Sequence, residues 1–120
     1  MNSSKPGVIN TISLLLLIFT FELFAKSSIK EFHLSLEQHV FSPAELTIPA
    51  DEKVKLIIHN LDNEAEEFDS FDLNREKVIF PRKSAVIYVG PLPPGRYEYF
   101  GEYNPTSAKG VIVVEVQNAR

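Results

Sequence analysis

Short runs of alternating or β-branched residues, each cut off by proline, glycine or a polar turn, constrain this chain more than any other feature. FHLSLEQ (Phe32–Gln38) alternates apolar and polar residues, the period-two pattern of a strand with one buried face. FSP (Phe41–Pro43) reads as a bend, and ELTIP (Glu45–Pro49) as a short strand ended by Pro49. After the turn-like PADEKV, VKLIIHN (Val54–Asn60) is a strong β-branched run. SAVIYVG (Ser84–Gly90) is another, stopped by the tight reversal PLPPG. RYEYF (Arg96–Phe100) sets Tyr97 and Tyr99 against Arg96 and Glu98, and GVIVVEV (Gly110–Val116) closes the series. Six or seven such segments predict an all-β fold, an antiparallel β-sandwich. Only DLNREKV (Asp72–Val78) has helical character, and it reads as a turn or short excursion between strands.

The first 25 residues follow a different rule. Lys5 precedes an almost wholly apolar run from Val8 to Ala25, and the chain turns polar at Lys26–Ser28. This pattern predicts a secretory signal peptide over residues 1–25, with Leu23 and Ala25 flanking the cut. The alternative is an uncleaved anchor, but an unbroken span of about 20 apolar residues is absent. The expectation is therefore one exported domain over residues 26–120, without a membrane span after cleavage. That domain has about 95 residues, enough to support its own core. The chain contains no cysteine, so packing alone must stabilise it and thiolate chemistry is excluded. A formal net charge of −4, without a basic cluster, also argues against nucleic acid as a partner. No Ser/His/Asp arrangement in order and no glycine-rich phosphate loop is present.

Leu61–Asp72, LDNEAEEFDSFD, has six carboxylates and no Lys, Arg or His. Like charges crowded this way repel, so water, neighbouring basic groups or a cation must offset them. Phe68 and Phe71 are expected to be buried and to pin the carboxylates. Arg75 and Lys77 are candidate counter-charges.

The order of these features resembles the cupredoxins. FSPAELTIPADEKVKLIIHN is similar to their opening, with its Phe-x-Pro bend, Pro-Ala turn and strand ending in Asn. PLPPGRYEYFGEYNPTSAKGVIVVEV is similar to their close, where a Pro-Gly turn leads to a tyrosine-rich strand, a ligand loop and a glycine-initiated last strand. The resemblance implies a cupredoxin-like Greek-key β-sandwich. Blue-copper members hold their ion with two His, a Cys and usually a weak axial Met. Here the matching positions are Glu66, Gly101, Asn104 and, near the Met, Ala108, so blue-copper electron transfer is excluded. EEFDSFDLNREKV together with GEYNPTSAKG resembles, more narrowly, the cupredoxin-like exported component of bacterial Ftr-type ferrous-iron uptake systems, related to the cupredoxin domain of EfeO-type proteins. That resemblance implies a periplasmic partner of an iron permease that binds Fe(II) and assists its oxidation before import. Asn104 departs from it, since a His is expected there.

On such a scaffold three loops bring candidate metal ligands to one end: Glu66, Glu67 and Asp69; Glu102 with Tyr103 and Asn104; and His39. Carboxylates with one imidazole make an oxygen-rich site suited to Fe(III), or to Cu(II) if His39 joins. Strand alternation turns Glu66 and Phe68 one way and Glu67 and Asp69 the other. By the resemblance, Glu66 stands at a blue-copper ligand position and Glu102 next to the Cys position, which makes them the leading candidates for an iron or copper ion. His33 is expected to face solvent and His59 to be structural. Two functions stay open: an exported metal-handling protein of iron uptake with ferroxidase-like accessory activity, and a metal-free scaffold that uses its acidic loop for protein contact.

Overall fold

The computed structural model describes residues 28–118, so the expected signal peptide lies outside the described residues. Nine strands run in chain order: β1 (Lys30–Glu37), β2 (Val40–Ser42), β3 (Glu45–Pro49), β4 (Val54–Asn60), β5 (Glu66–Ser70), β6 (Arg75–Ile79), β7 (Ser84–Val89), β8 (Gly95–Gly101) and β9 (Lys109–Glu115). They form two sheets, ordered β2-β1-β4-β7 and β3-β9-β8-β5-β6. The sandwich is not purely antiparallel: β1 pairs with β4, and β3 with β9, in parallel. Both pairs join strands that are not consecutive, because the chain crosses between sheets before it returns, as a Greek-key path requires.

Alternation decides which residues are buried. Val54, Leu56 and Ile58 of β4 point inward while Lys55, Ile57 and His59 face outward, and β1 and β7 follow the same rule. Leu34, Leu36, Leu56, Ile58 and Ile87 meet Ile48, Phe68, Tyr99, Ile112 and Val114 across the sandwich. Each such large apolar side chain contributes about 1.5–3 kcal/mol on burial. Near the loop end Phe41, Phe68 and Tyr99 form an aromatic trio, with Phe68 and Tyr99 centroids 4.9 Å apart and Phe41 edge-on to both. Gly110 lies opposite Tyr99 in the β8–β9 register, and a Cβ there would overlap the Tyr99 hydroxyl. That hydroxyl is buried without a hydrogen-bond partner, and burial pushes its pKa well up.

Three parts of the sequence reading need correction. The acidic segment is no solvated loop throughout, because Glu66–Ser70 is strand β5, central enough to pair with both β6 and β8. Arg75–Ile79 is strand β6, not a helical excursion; it is an edge strand, so Arg75, Glu76 and Lys77 are exposed and give no apolar alternation to read. Phe68 is fully buried as expected, but Phe71 is 85% exposed at the four-residue turn between β5 and β6. There it rests against Phe100, with centroids 5.8 Å apart.

Candidate functional site

Strand β5 carries the acidic residues, and its alternation divides them between the two sides of one sheet. Glu66 points inward and is 1% exposed. A carboxylate this deep needs its charge satisfied, and three N–H groups do so. Its Oε1 accepts from the Glu67 amide (2.9 Å) and the Tyr103 amide (2.8 Å). Its Oε2 accepts from Asn104 Nδ2 (2.9 Å). Gly101 packs directly on it, and a Cβ at Gly101 would stand 2.6 Å from the Glu66 carboxyl carbon and 2.8 Å from the Ala108 methyl. Backbone bonds hold the loop around it: Gly101 N–H to Ala108 O (2.8 Å), Asn104 N–H to Gly101 O (3.2 Å) and Ala108 N–H to Asn104 O (2.9 Å).

The four positions matched by sequence to blue-copper ligands thus converge in space, but as one internal hydrogen-bonded cluster. Copper of that kind does not fit these residues. Neither a thiolate nor an imidazole is among them, and the one charged group already accepts three hydrogen bonds.

Glu67 and Asp69 point to the other side of the sheet, where Glu67 is half-buried and Asp69 is covered at 8% exposure; Asp69 lies directly opposite Glu76 in the β5–β6 register. Glu67, Asp69 and Glu76 each offer a carboxylate oxygen within 4.8 Å of the others. Glu102 joins them from the end of β8, where its amide donates to Glu67 O (2.9 Å). The Glu102 carboxyl shares a hydrogen bond with Asp69. That bond, then burial and the charges of Asp69, Glu67 and Glu76, holds its pKa above the usual carboxylate range. Burial, then the charges of Asp69 and Glu76, raises Glu67 as well, partly offset by a hydrogen bond from Tyr103. The Tyr103 phenol is itself raised, by burial and then by the charges of Glu67 and Glu66.

Arg75, an expected counter-charge, turns away: its guanidinium donates to the carbonyls of Tyr88, Leu73 and Asn74. Among the described residues no Lys or Arg makes a salt bridge to these four carboxylates. A shallow cavity of about 250 Å³ lies beside them, lined by Asp69, Phe71, Arg75 and Glu76.

His39 occupies a third place. It and Gln38 form the two-residue turn between β1 and β2, both with positive φ (60° and 54°). Asp62 caps this turn, its carboxylate accepting from the amides of Gln38 (2.6 Å) and His39 (3.0 Å). The His39 ring lies 3.7 Å from Asp62 Oδ2 and 3.4 Å from Glu64 Oε1. Ser107 of the ligand loop donates to His39 O (2.7 Å), so the corner abuts the loop without sharing its centre. Asn60 fixes the intervening segment, donating to Glu64 O and Ile79 O and accepting from the Asp62 amide.

The five candidate ligands therefore sit in three places: Glu66 inside, Glu67, Asp69 and Glu102 on the outer face, and His39 at the turn. Glu76 and Asp62 are additions that sequence reasoning missed. Asp62 was visible only as one carboxylate among six. Glu76 is placed by hairpin register, which the exposed edge strand does not advertise.

Comparison with known proteins agrees with this frame. The family model described as cupredoxin-like domain matches residues 10–114. An uncharacterized protein of Rickettsia prowazekii (strain Madrid E) is 42% identical over 87 residues, covering 72% of this chain and 70% of its own length. Among solved structures, the metal-binding domain of the Cu(I)-exporting P-type ATPase CopA of Streptococcus pneumoniae D39 aligns with a TM-score of 0.66 at 17% identity, over 75% of this chain and 89% of that one. Auracyanin A, a blue copper protein of Chloroflexus aurantiacus, aligns at 0.61 and 13% identity, over 73% and 100%. At these identities the structures establish the fold alone. With the strand order, the loop frame and the family match in agreement, this chain belongs to the cupredoxin-like domain family.

Proposed function

We propose that the protein handles a hard metal cation, iron foremost, on the outer acidic face of its five-stranded sheet, as the exported component of a bacterial ferrous-iron uptake system. The observation that carries this reading is the cluster of Glu67, Asp69 and Glu76, three carboxylate oxygens within 4.8 Å of one another, with no Lys or Arg among the described residues in a salt bridge to any of them. Like charges this close are destabilising unless a proton, water or a cation offsets them, and this reading assigns a cation. Tyr103 adds a phenol at the rim. An all-oxygen donor set favours Fe(III) over Fe(II). Iron bound there as Fe(II) gives up an electron to an external oxidant such as dioxygen more readily than iron in water does. In this reading the periplasm is the site of action and an iron permease receives the cation. Glu66 serves the site indirectly, by holding the Glu67 and Tyr103 amides in place.

A second reading has its own observation. The saturation of Glu66 by three N–H donors fits a metal-free scaffold that meets a membrane or periplasmic partner through the same acidic face. Titration of the full chain with Fe(II) under controlled oxygen, followed by calorimetry and absorbance, separates the two. Saturable binding that disappears in Asp69→Asn with Glu76→Gln supports the metal-handling reading. Binding of neither Fe(II) nor Fe(III) by the parent would overturn it and leave the scaffold.

A further inference from the structure

The outer face of the other sheet carries a feature the proposed function does not use. His33 on β1 and His59 on β4 are 26 positions apart, yet the parallel register sets Ser35 beside His59 and His33 one outward row away. Their ring nitrogens, His33 Nδ1 and His59 Nε2, approach to 2.9 Å. The rings are within 5° of parallel with centroids 5.2 Å apart. That centroid separation is the nitrogen separation plus one ring radius at each end, so the imidazoles meet edge to edge through nitrogen and are not stacked face to face. On its far side His59 Nδ1 bonds Ser84 Oγ of β7 (2.7 Å).

We infer that His33 and His59 form a surface site for a borderline divalent cation, Cu(II) foremost, independent of the acidic face. Two imidazole nitrogens at about 2.0–2.1 Å from one ion lie about 2.9 Å apart when their bonds meet near a right angle, the tetragonal arrangement Cu(II) prefers. The strand register already supplies that separation. With His59 Nδ1–H donating to Ser84 Oγ, the Nε2 lone pair faces His33, as an orienting partner does for metal-bound histidines.

In that tautomer of His59, His33 Nδ1–H is the donor to the lone pair in the metal-free state. On binding, His33 moves its proton to Nε2, so both rings stay neutral and each presents a lone pair. A turn of the exposed His33 side chain brings its Nδ1 lone pair to the point that the His59 lone pair addresses above the sheet, while Ser84 holds the His59 ring in place. His33 is exposed and His59 half-buried, which leaves room for the turn and for water at the remaining positions. Glu31, the nearest outward carboxylate along β1, is engaged by Lys55 at 3.4 Å, so the donor set is nitrogen and water. This distinguishes the pair from the all-oxygen face on the opposite sheet.

The test is titration of the full chain with Cu(II) at neutral pH, read by calorimetry and by nitrogen hyperfine structure in electron paramagnetic resonance. The parent is expected to show a two-nitrogen signal at one equivalent. Ser84→Ala should weaken binding about tenfold, as loss of an orienting partner does. His33→Ala and His59→Ala should weaken it more and remove the two-nitrogen pattern. His39→Ala and the pair Asp69→Asn, Glu76→Gln should leave that pattern intact. An unchanged affinity and nitrogen pattern in His33→Ala and His59→Ala would overturn the inference. So would copper binding lost only with the acidic residues, an outcome that leaves the acidic-face reading standing.

Discussion

Glu66 organises the loop end from a single buried side chain. Its carboxylate is surrounded by N–H donors from Glu67, Tyr103 and Asn104, and Gly101 is the wall that gives it room. Gly101→Ala should therefore destabilise the fold by about 1–3 kcal/mol, the usual cost of overpacking, measured as a lower urea midpoint at unchanged slope. Truncation of the carboxylate itself orphans buried donors, so Glu66→Ala should cost roughly 3 kcal/mol in the same experiment. Glu66→Gln should cost far less. The Asn104 amide can reverse, letting its oxygen accept from the new Gln amide while the other oxygen keeps both backbone donors. Equal losses for Ala and Gln would show that charge, and not hydrogen bonding, holds the cluster. The motif order located the four positions from sequence, because each stands at a fixed place in a Phe-x-Pro to Pro-Gly frame. What filled them was not legible: an Asn104–Glu66 bond spans 38 positions and depends on how the loop closes.

At the scale of elements, the hairpin of β5 and β6 holds the outer acidic group together, and its pH response follows from two raised carboxyls. Glu67 and Glu102 both have folded values above the ordinary 4.5. Between 4.5 and those raised values the native state holds more protons than the unfolded chain, so stability falls as pH rises through the window. Acidification from neutral toward that window should thus raise the urea midpoint on account of these groups, and Asp69→Asn should flatten the dependence. A midpoint that falls steadily from neutral pH toward 4.5 would contradict this arrangement. Protons and metal compete for the same oxygens, so iron affinity should weaken over the same window, checked by titration at two pH values. The other strands were easy to read because each inward position is apolar. β5 hides its alternation behind a charged residue at an inward position, and β6 behind exposure at a sheet edge. The His33–His59 contact escaped sequence reading for a related reason: parallel pairing between β1 and β4 has no turn to fix its register.

Across the described sandwich, the loop end is where the positions matched to blue-copper ligands meet, and the two outer sheet faces carry the proposed cation sites. The frame there is closed by backbone bonds: Gly101, Asn104 and Ala108 bond one another, with two residues between the first pair and three between the second. If the frame alone positions ligands, supplying soft ligands should create a copper site. The combination Glu66→His, Gly101→Cys, Asn104→His and Ala108→Met tests this. Gly101→Cys by itself is expected to destabilise, since its Cβ meets the Glu66 carboxyl. With Glu66 replaced in the same chain that obstacle is gone, and the loop need give only where the new Cβ approaches residue 108 at 2.8 Å. Added Cu(II) should then produce an intense visible thiolate-to-copper band, absent from the parent and from a version that keeps Gly101. A folded quadruple variant without such a band would mean that this loop does not provide the ligand geometry. In that case the Glu66 cluster is what now shapes the loop, and the outer faces of the two sheets carry whatever metal chemistry the protein has.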